Sequence, residues 1–164
     1  MDDFKKIIFP ILAVATFICV IGYIYKSPFN FSSTPTLPKV KVTIGGISLE
    51  VEKATTAKER ETGLSGRSSL GNNEGMLFFL ENKDSIPIFW MKGMKFNLDI
   101  IWIKSAKVTQ IDKNVLAPEE DAPDAQLKRY SPKEPVEYVL EVNSGFCDEN
   151  KIKVGDPVQI QPAP

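Results

Sequence analysis

Asp99 is the residue whose position most needs a chemical explanation. It interrupts Leu98-Asp99-Ile100-Ile101-Trp102-Ile103, a run otherwise apolar on both faces of a strand, where an unpaired carboxylate is costly to bury. It calls for a partner, and Arg67, Arg60 and Lys92 are the candidate cations. A pair of this kind is more often structural than catalytic. The functional alternative gathers Glu59, Arg67, Trp90, Lys92, Asp99 and Glu141 into one pocket. Carboxylates and cations would orient a small polar ligand there, and an indole would stack on it. Trp90 and Lys92 share a strand face by the period of two, with Phe89 and Met91 on the other. The competing reading of both tryptophans, Trp90 and Trp102, is that they are core.

Much chemistry is excluded by composition. The chain has no histidine, which removes Ser-His-Asp and Cys-His catalysis, the HExxH zinc site and histidine pH switching. Its two cysteines are Cys19, in a hydrophobic segment, and Cys147, beside Asp148 and Glu149. They are poorly placed for a disulfide or a thiolate metal site, and the acidic neighbours oppose thiolate formation at Cys147. The acids Glu119, Glu120, Asp121 and Asp124 lack EF-hand spacing and read as a solvated loop, so no metal is expected. Neither GxxxxGK nor GxGxxG occurs, and no cofactor is implied. From Lys39 onward, 17 Lys and Arg stand against 19 Asp and Glu, a net charge of −2 without a basic block. Nucleic acid is therefore not an expected partner.

The elements that must position these residues follow from alternation and turn signals. Val40 to Gly45 and Ile47 to Glu52 alternate around Gly45-Gly46 and predict a hairpin. Thr56 and Glu59 have capping-box spacing before a short helix that Gly63 can close. Strands are predicted at Met76 to Leu80, Ile88 to Met91, Phe96 to Ile103 and Val108 to Ile111, as an antiparallel meander. Ala117 to Pro135, with its prolines and acids, predicts a long surface loop. Tyr138 to Val142 returns to strand, Asp148 to Lys151 suggests a helical turn, and Val158 to Ile160 closes the chain. The fold class is thus β-rich α+β: a small, partly open β-barrel or curled antiparallel sheet with one or two short helices.

Before this domain, Ile7 to Tyr25 form 19 residues without a charge. As a helix they would span about 28 Å, close to a bilayer's hydrocarbon thickness. Lys5 and Lys6 precede the segment and Tyr23, Tyr25 and Lys26 end it. A cleaved signal peptide would need small residues just beyond the apolar core, where Tyr25-Lys26 stands. The expected organisation is an uncleaved transmembrane anchor over residues 1–26, a Pro/Ser/Thr-rich stalk over 27–38, and one globular domain over 39–162. Lys5 and Lys6 favour a cytoplasmic N-terminus and an extracytoplasmic domain.

Ala57 to Arg67 (AKERETGLSGR), Gly75 to Leu80 (GMLFFL), Phe89 to Ile103 (FWMKGMKFNLDIIWI), Tyr138 to Glu141 (YVLE) with Gly145, and Gly155-Asp156 occur in one order. In this the domain resembles the prokaryotic family known as domain of unknown function 192. The family usually has Asn-Thr after Trp-Met-Lys, where this chain has Gly93-Met94. It often has Pro at the place of Asn97 and Met at that of Ser65. The resemblance implies a compact β-rich fold, often exported behind a signal or anchor, and no particular activity. The reading is a membrane-anchored binding or accessory module for a small polar ligand or an envelope partner. Its rivals are a carboxylate-dependent enzyme using Asp99 or Glu59 and a purely structural envelope module.

Overall fold

The computed structural model describes residues 37–162. The expected anchor and nearly all of the stalk lie outside these residues. Among the described residues no helix is long and apolar enough to cross a membrane.

Seven strands form one curled sheet: β1 (Lys39–Ile44), β2 (Ile47–Ala54), β3 (Glu74–Phe79), β5 (Leu98–Lys104), β6 (Lys107–Val115), β8 (Tyr138–Asn143) and β9 (Val158–Pro162). Their order across the sheet is β6-β5-β8-β3-β2-β1-β9. The outer strands meet at one end, where Val108 N–H donates to Asp156 O (3.0 Å) and Val158 N–H to Ala106 O (2.9 Å). The result is the partly open barrel that the strand pattern predicts. Two short helices accompany it, α1 (Ala57–Thr62) and α2 (Phe146–Glu149).

The opening hairpin forms as read. Gly45 and Gly46 both take positive φ, at 55° and 86°, as a tight two-residue turn requires. The meander does not form. β2 and β3 pair in parallel, with Val51 opposite Gly75, so the chain must cross over between them, and α1 lies in that crossover. The Phe89–Trp90 segment, β4, leaves the main sheet and pairs with β7 (Arg129–Tyr130) in a separate ribbon. Ala117 to Pro135 is therefore not loop throughout, since it contains β7 and a 3-10 turn at Asp124–Gln126. The predicted strand at Ile88 to Met91 shortens to β4, and β7, with two residues, is too short to read from alternation.

Each face of the sheet buries its own core. One core takes side chains from all seven strands, among them Val42, Leu49, Leu77, Ile101, Leu140 and Val158, and fills the curl. The other holds Met76, Phe78, Ile100, Trp102 and Val139 from the opposite face, covered by Leu64, Met91 and Met94. Because both faces are covered, β5 is buried from Leu98 to Ile103, and each large apolar side chain so buried contributes about 1.5–3 kcal/mol. Trp102 is entirely core, with its Nε1 donating to Asp112 Oδ2 at 2.6 Å.

Candidate ligand-binding site

Glu141 lies on β8 at the middle of the sheet. Its neighbours on the flanking strands are Met76 of β3 and Ile100 of β5, so its carboxylate projects into the second core. It is only 6% exposed. No hydrogen bond or ion pair reaches the carboxylate among the described residues, and burial pushes its pKa up to about 8. Among the described residues no side-chain oxygen fully sealed from solvent lacks a hydrogen bond, so the Glu141 carboxylate oxygens open onto free space.

That space is a cavity of about 290 Å³ above the outer face of the sheet. Phe78, Phe89, Leu64 and Met94 supply apolar wall, Trp90 and Lys92 lie along it, and Pro87 and Ile88 form a rim. Local sequence explains the wall. Phe78 points outward from β3 by strand alternation, and Phe89 meets it edge-on with ring centroids 5.0 Å apart. Phe89 also meets Trp102 at 5.5 Å, which fixes β4 against the sheet. Leu64 follows α1, whose capping box is formed as predicted: Glu59 N–H donates to Thr56 Oγ1 (3.2 Å) and Thr56 N–H to Glu59 Oε2 (2.9 Å). Ile88 is 68% exposed, leaving a greasy edge where burial would be expected.

Of the six residues proposed to share one pocket, Trp90, Lys92 and Glu141 line this cavity. Glu59, Arg67 and Asp99 do not, and each has a physical reason. The Glu59 carboxylate is spent on the helix cap, accepting from Thr55 N–H at 2.7 Å as well, and these bonds hold its pKa below the usual carboxylate range. Arg67 forms a two-pronged pair with Glu52, Nη1 to Oε1 at 2.5 Å and Nη2 to Oε2 at 2.7 Å. That fork holds the Glu52 carboxyl low.

Asp99 faces the other core and has no cationic partner among the described residues. Its Oδ1 accepts from Asn114 N–H and its Oδ2 from Cys147 N–H, both at 2.9 Å. The N-cap of α2 is Gly145, which has no side chain to offer, so a carboxylate from β5 satisfies one of the amides left open in the first turn. The candidate cations are engaged elsewhere. Arg60 donates to the carbonyls of Thr55 and Phe79 and to Glu81, and Lys92 Nζ pairs with Asp124 Oδ2 at 2.5 Å. The Cys147 thiol is buried, and that burial, reinforced by the Asp99 charge, pushes its pKa upward.

Trp90 is not a bare stacking platform. The Arg129 guanidinium lies 3.8 Å from its ring centroid and Lys92 Nζ lies 5.2 Å away. Strand alternation sets Phe89 on the face opposite Trp90 and Lys92, but all three line the cavity, because the strand ends at Trp90 and the period of two does not extend to Lys92. Phe78, Leu64 and the Pro87-Ile88 rim are not among the candidate residues of the sequence. Aromatic and proline residues in short apolar runs give no sign there of facing a cavity instead of a core. Chemically, the site offers one desolvated carboxyl group at the base of an apolar, aromatic-walled cavity.

Comparison with known proteins adds the lineage. A search of the curated proteins finds no match. A protein of unknown function from Novosphingobium aromaticivorans DSM 12444, known from a crystal structure, superposes with a TM-score of 0.68 at 31% identity. The match covers 77% of this chain and 89% of that one. A protein of Sinorhizobium meliloti 1021 named as a proposed transcription regulator gives 0.66 at 29% identity, covering 76% and 95%. The model of DUF192, described as "Uncharacterized ACR", matches residues 40–160. The chain belongs to the DUF192 family.

Proposed function

We propose that this domain is a binding or accessory module whose site is the cavity over Glu141, and that it takes a compact ligand with an apolar body and a polar head. The observation that carries this reading is the carboxylate of Glu141, buried without a partner among the described residues and open to the cavity. A protein interior leaves such a group unpaired at a cost in stability, and functional sites are where that cost is met. The enzyme reading that relied on Asp99 or Glu59 has less support, because both carboxylates are engaged in fixing backbone amides. A role in transcription, which the name of the Sinorhizobium protein proposes for that protein, has little support here through nucleic-acid contact, since this domain has a net charge of −2.

The same reading has the module tethered through residues 7–25, with its ligand met outside the membrane. A reporter fused after Pro164 tests the orientation: activity in the cytoplasm alone contradicts it. Among the described residues, the core side chains and the apolar side chains packed against them run from Leu37 to Ile160, and Thr36–Pro164 is a compact unit by itself. A fragment from Thr36 to Pro164 therefore carries what it needs to fold. Amide NMR spectra of that fragment with small-molecule probes test the cavity: the reading requires shifts centred on Phe78, Phe89, Trp90 and Glu141. The absence of any such shift contradicts it.

A further inference from the structure

Resting on the proposed cavity site, we infer that its ligand class is a compact organic ammonium, whose cationic head pairs with Glu141 while its apolar body lies against Phe78, Phe89 and Leu64. Charge is the first argument. The groups directly opposite Glu141 on β3 and β5 are Met76 and Ile100. The charged side chains from the surrounding elements that line the cavity are Arg60 and Glu61 of α1 and Lys92 after β4. Arg60 is bound to two carbonyls and Glu81, Lys92 to Asp124, and Glu61 is exposed to solvent. The cavity therefore contains a carboxylate with no counter-charge. A cation supplies what the ionised group lacks, and once Glu141 is ionised an anion meets repulsion at the floor with no free cation among the lining groups to offset it.

Shape and wall chemistry agree. A volume of about 290 Å³ lies at the lower end of small-molecule sites and suits one ring or a short aliphatic chain. Phe78 and Phe89 supply aromatic wall, which favours an ammonium group over a neutral head of the same size, while the Trp90 ring already carries Arg129 and Lys92. A neutral alcohol of matching shape recovers the apolar contact and loses the ion pair.

The test uses benzylammonium, benzyl alcohol and benzoate as shape-matched probes on the Thr36–Pro164 fragment, with affinities read from amide shifts at pH 8. The expected result is benzylammonium binding at least tenfold more tightly than the other two, with that preference lost in Glu141→Gln. Because the ammonium must displace the proton from Glu141, its affinity is expected to rise about tenfold between pH 6 and pH 7. Benzyl alcohol or benzoate binding as tightly as benzylammonium overturns the ammonium assignment and leaves the cavity as a binding site. No shift from any of the three probes overturns both. Should Glu141→Gln fail to fold, the comparison of the three probes on the unaltered fragment decides alone.

Discussion

Asp99 and Glu141 stand on paired strands one register step apart, Asp99 opposite Val142 and Glu141 opposite Ile100, so their carboxylates emerge on opposite faces of one sheet. Both are buried. Asp99 accepts two backbone N–H bonds, while no hydrogen bond or ion pair reaches the Glu141 carboxylate among the described residues. The first carboxylate holds the fold together and the second is a cost the fold carries.

That cost depends on pH. Unfolded, Glu141 titrates near the ordinary glutamate value, and folded it is pushed up to about 8. Between those values the native state holds a proton that the unfolded state has lost, so stability falls as pH rises through this window. The fall approaches roughly 4 kcal/mol. Urea unfolding from pH 5 to pH 9 is expected to show it, and Glu141→Gln is expected to abolish this component and to be the more stable protein at pH 9. Parallel pH profiles for the two proteins contradict the assignment.

Asp99→Asn replaces one accepting oxygen with a donor that faces an N–H group. The substitution is expected to cost about 1–3 kcal/mol, read as a lower urea midpoint, and to leave probe binding in the Glu141 cavity unchanged because Asp99 faces the other core. An unchanged midpoint contradicts the structural role.

Gly75 lies on β3 opposite Val142, and a Cβ built there falls 2.5 Å from the Glu141 carbonyl oxygen. Backbone cannot yield as a flexible side chain does. Gly75→Ala is expected to push β8 from β3 and cost about 1–3 kcal/mol, with the amide shifts of Glu141 displaced. A stability equal to that of the unaltered protein shows that the strands have room.

Cys147 is the single cysteine of the Thr36–Pro164 fragment. Burial and the adjacent Asp99 oppose its ionisation, so a thiol reagent at pH 8 is expected to modify it only after unfolding in urea. Rapid modification of the folded fragment contradicts a sealed thiol.

Much of the fold is legible in the sequence because it rests on local signals. Gly45-Gly46 permits one kind of turn, and Thr56 with Glu59 permits one kind of helix start. The parallel pairing of β2 with β3 is not legible, since alternation in each strand is the same whichever way its neighbour runs. For the site, an acid within an apolar strand is the useful signal, and it marks Asp99 and Glu141 equally. Which of them is satisfied depends on backbone amides at Asn114 and Cys147, 15 and 48 residues from Asp99. A search for cationic partners passes over them. The aromatic wall of Phe78 and Phe89 reads as ordinary core because a cavity has no sequence pattern of its own.

The most direct measurement is a carbon-13 NMR titration of the Glu141 carboxyl in the Thr36–Pro164 fragment, alone and with saturating benzylammonium. A midpoint near 8 is expected for the free protein, with a clear downward displacement when the ammonium pairs with it. An ordinary glutamate midpoint that does not respond to the probe contradicts both.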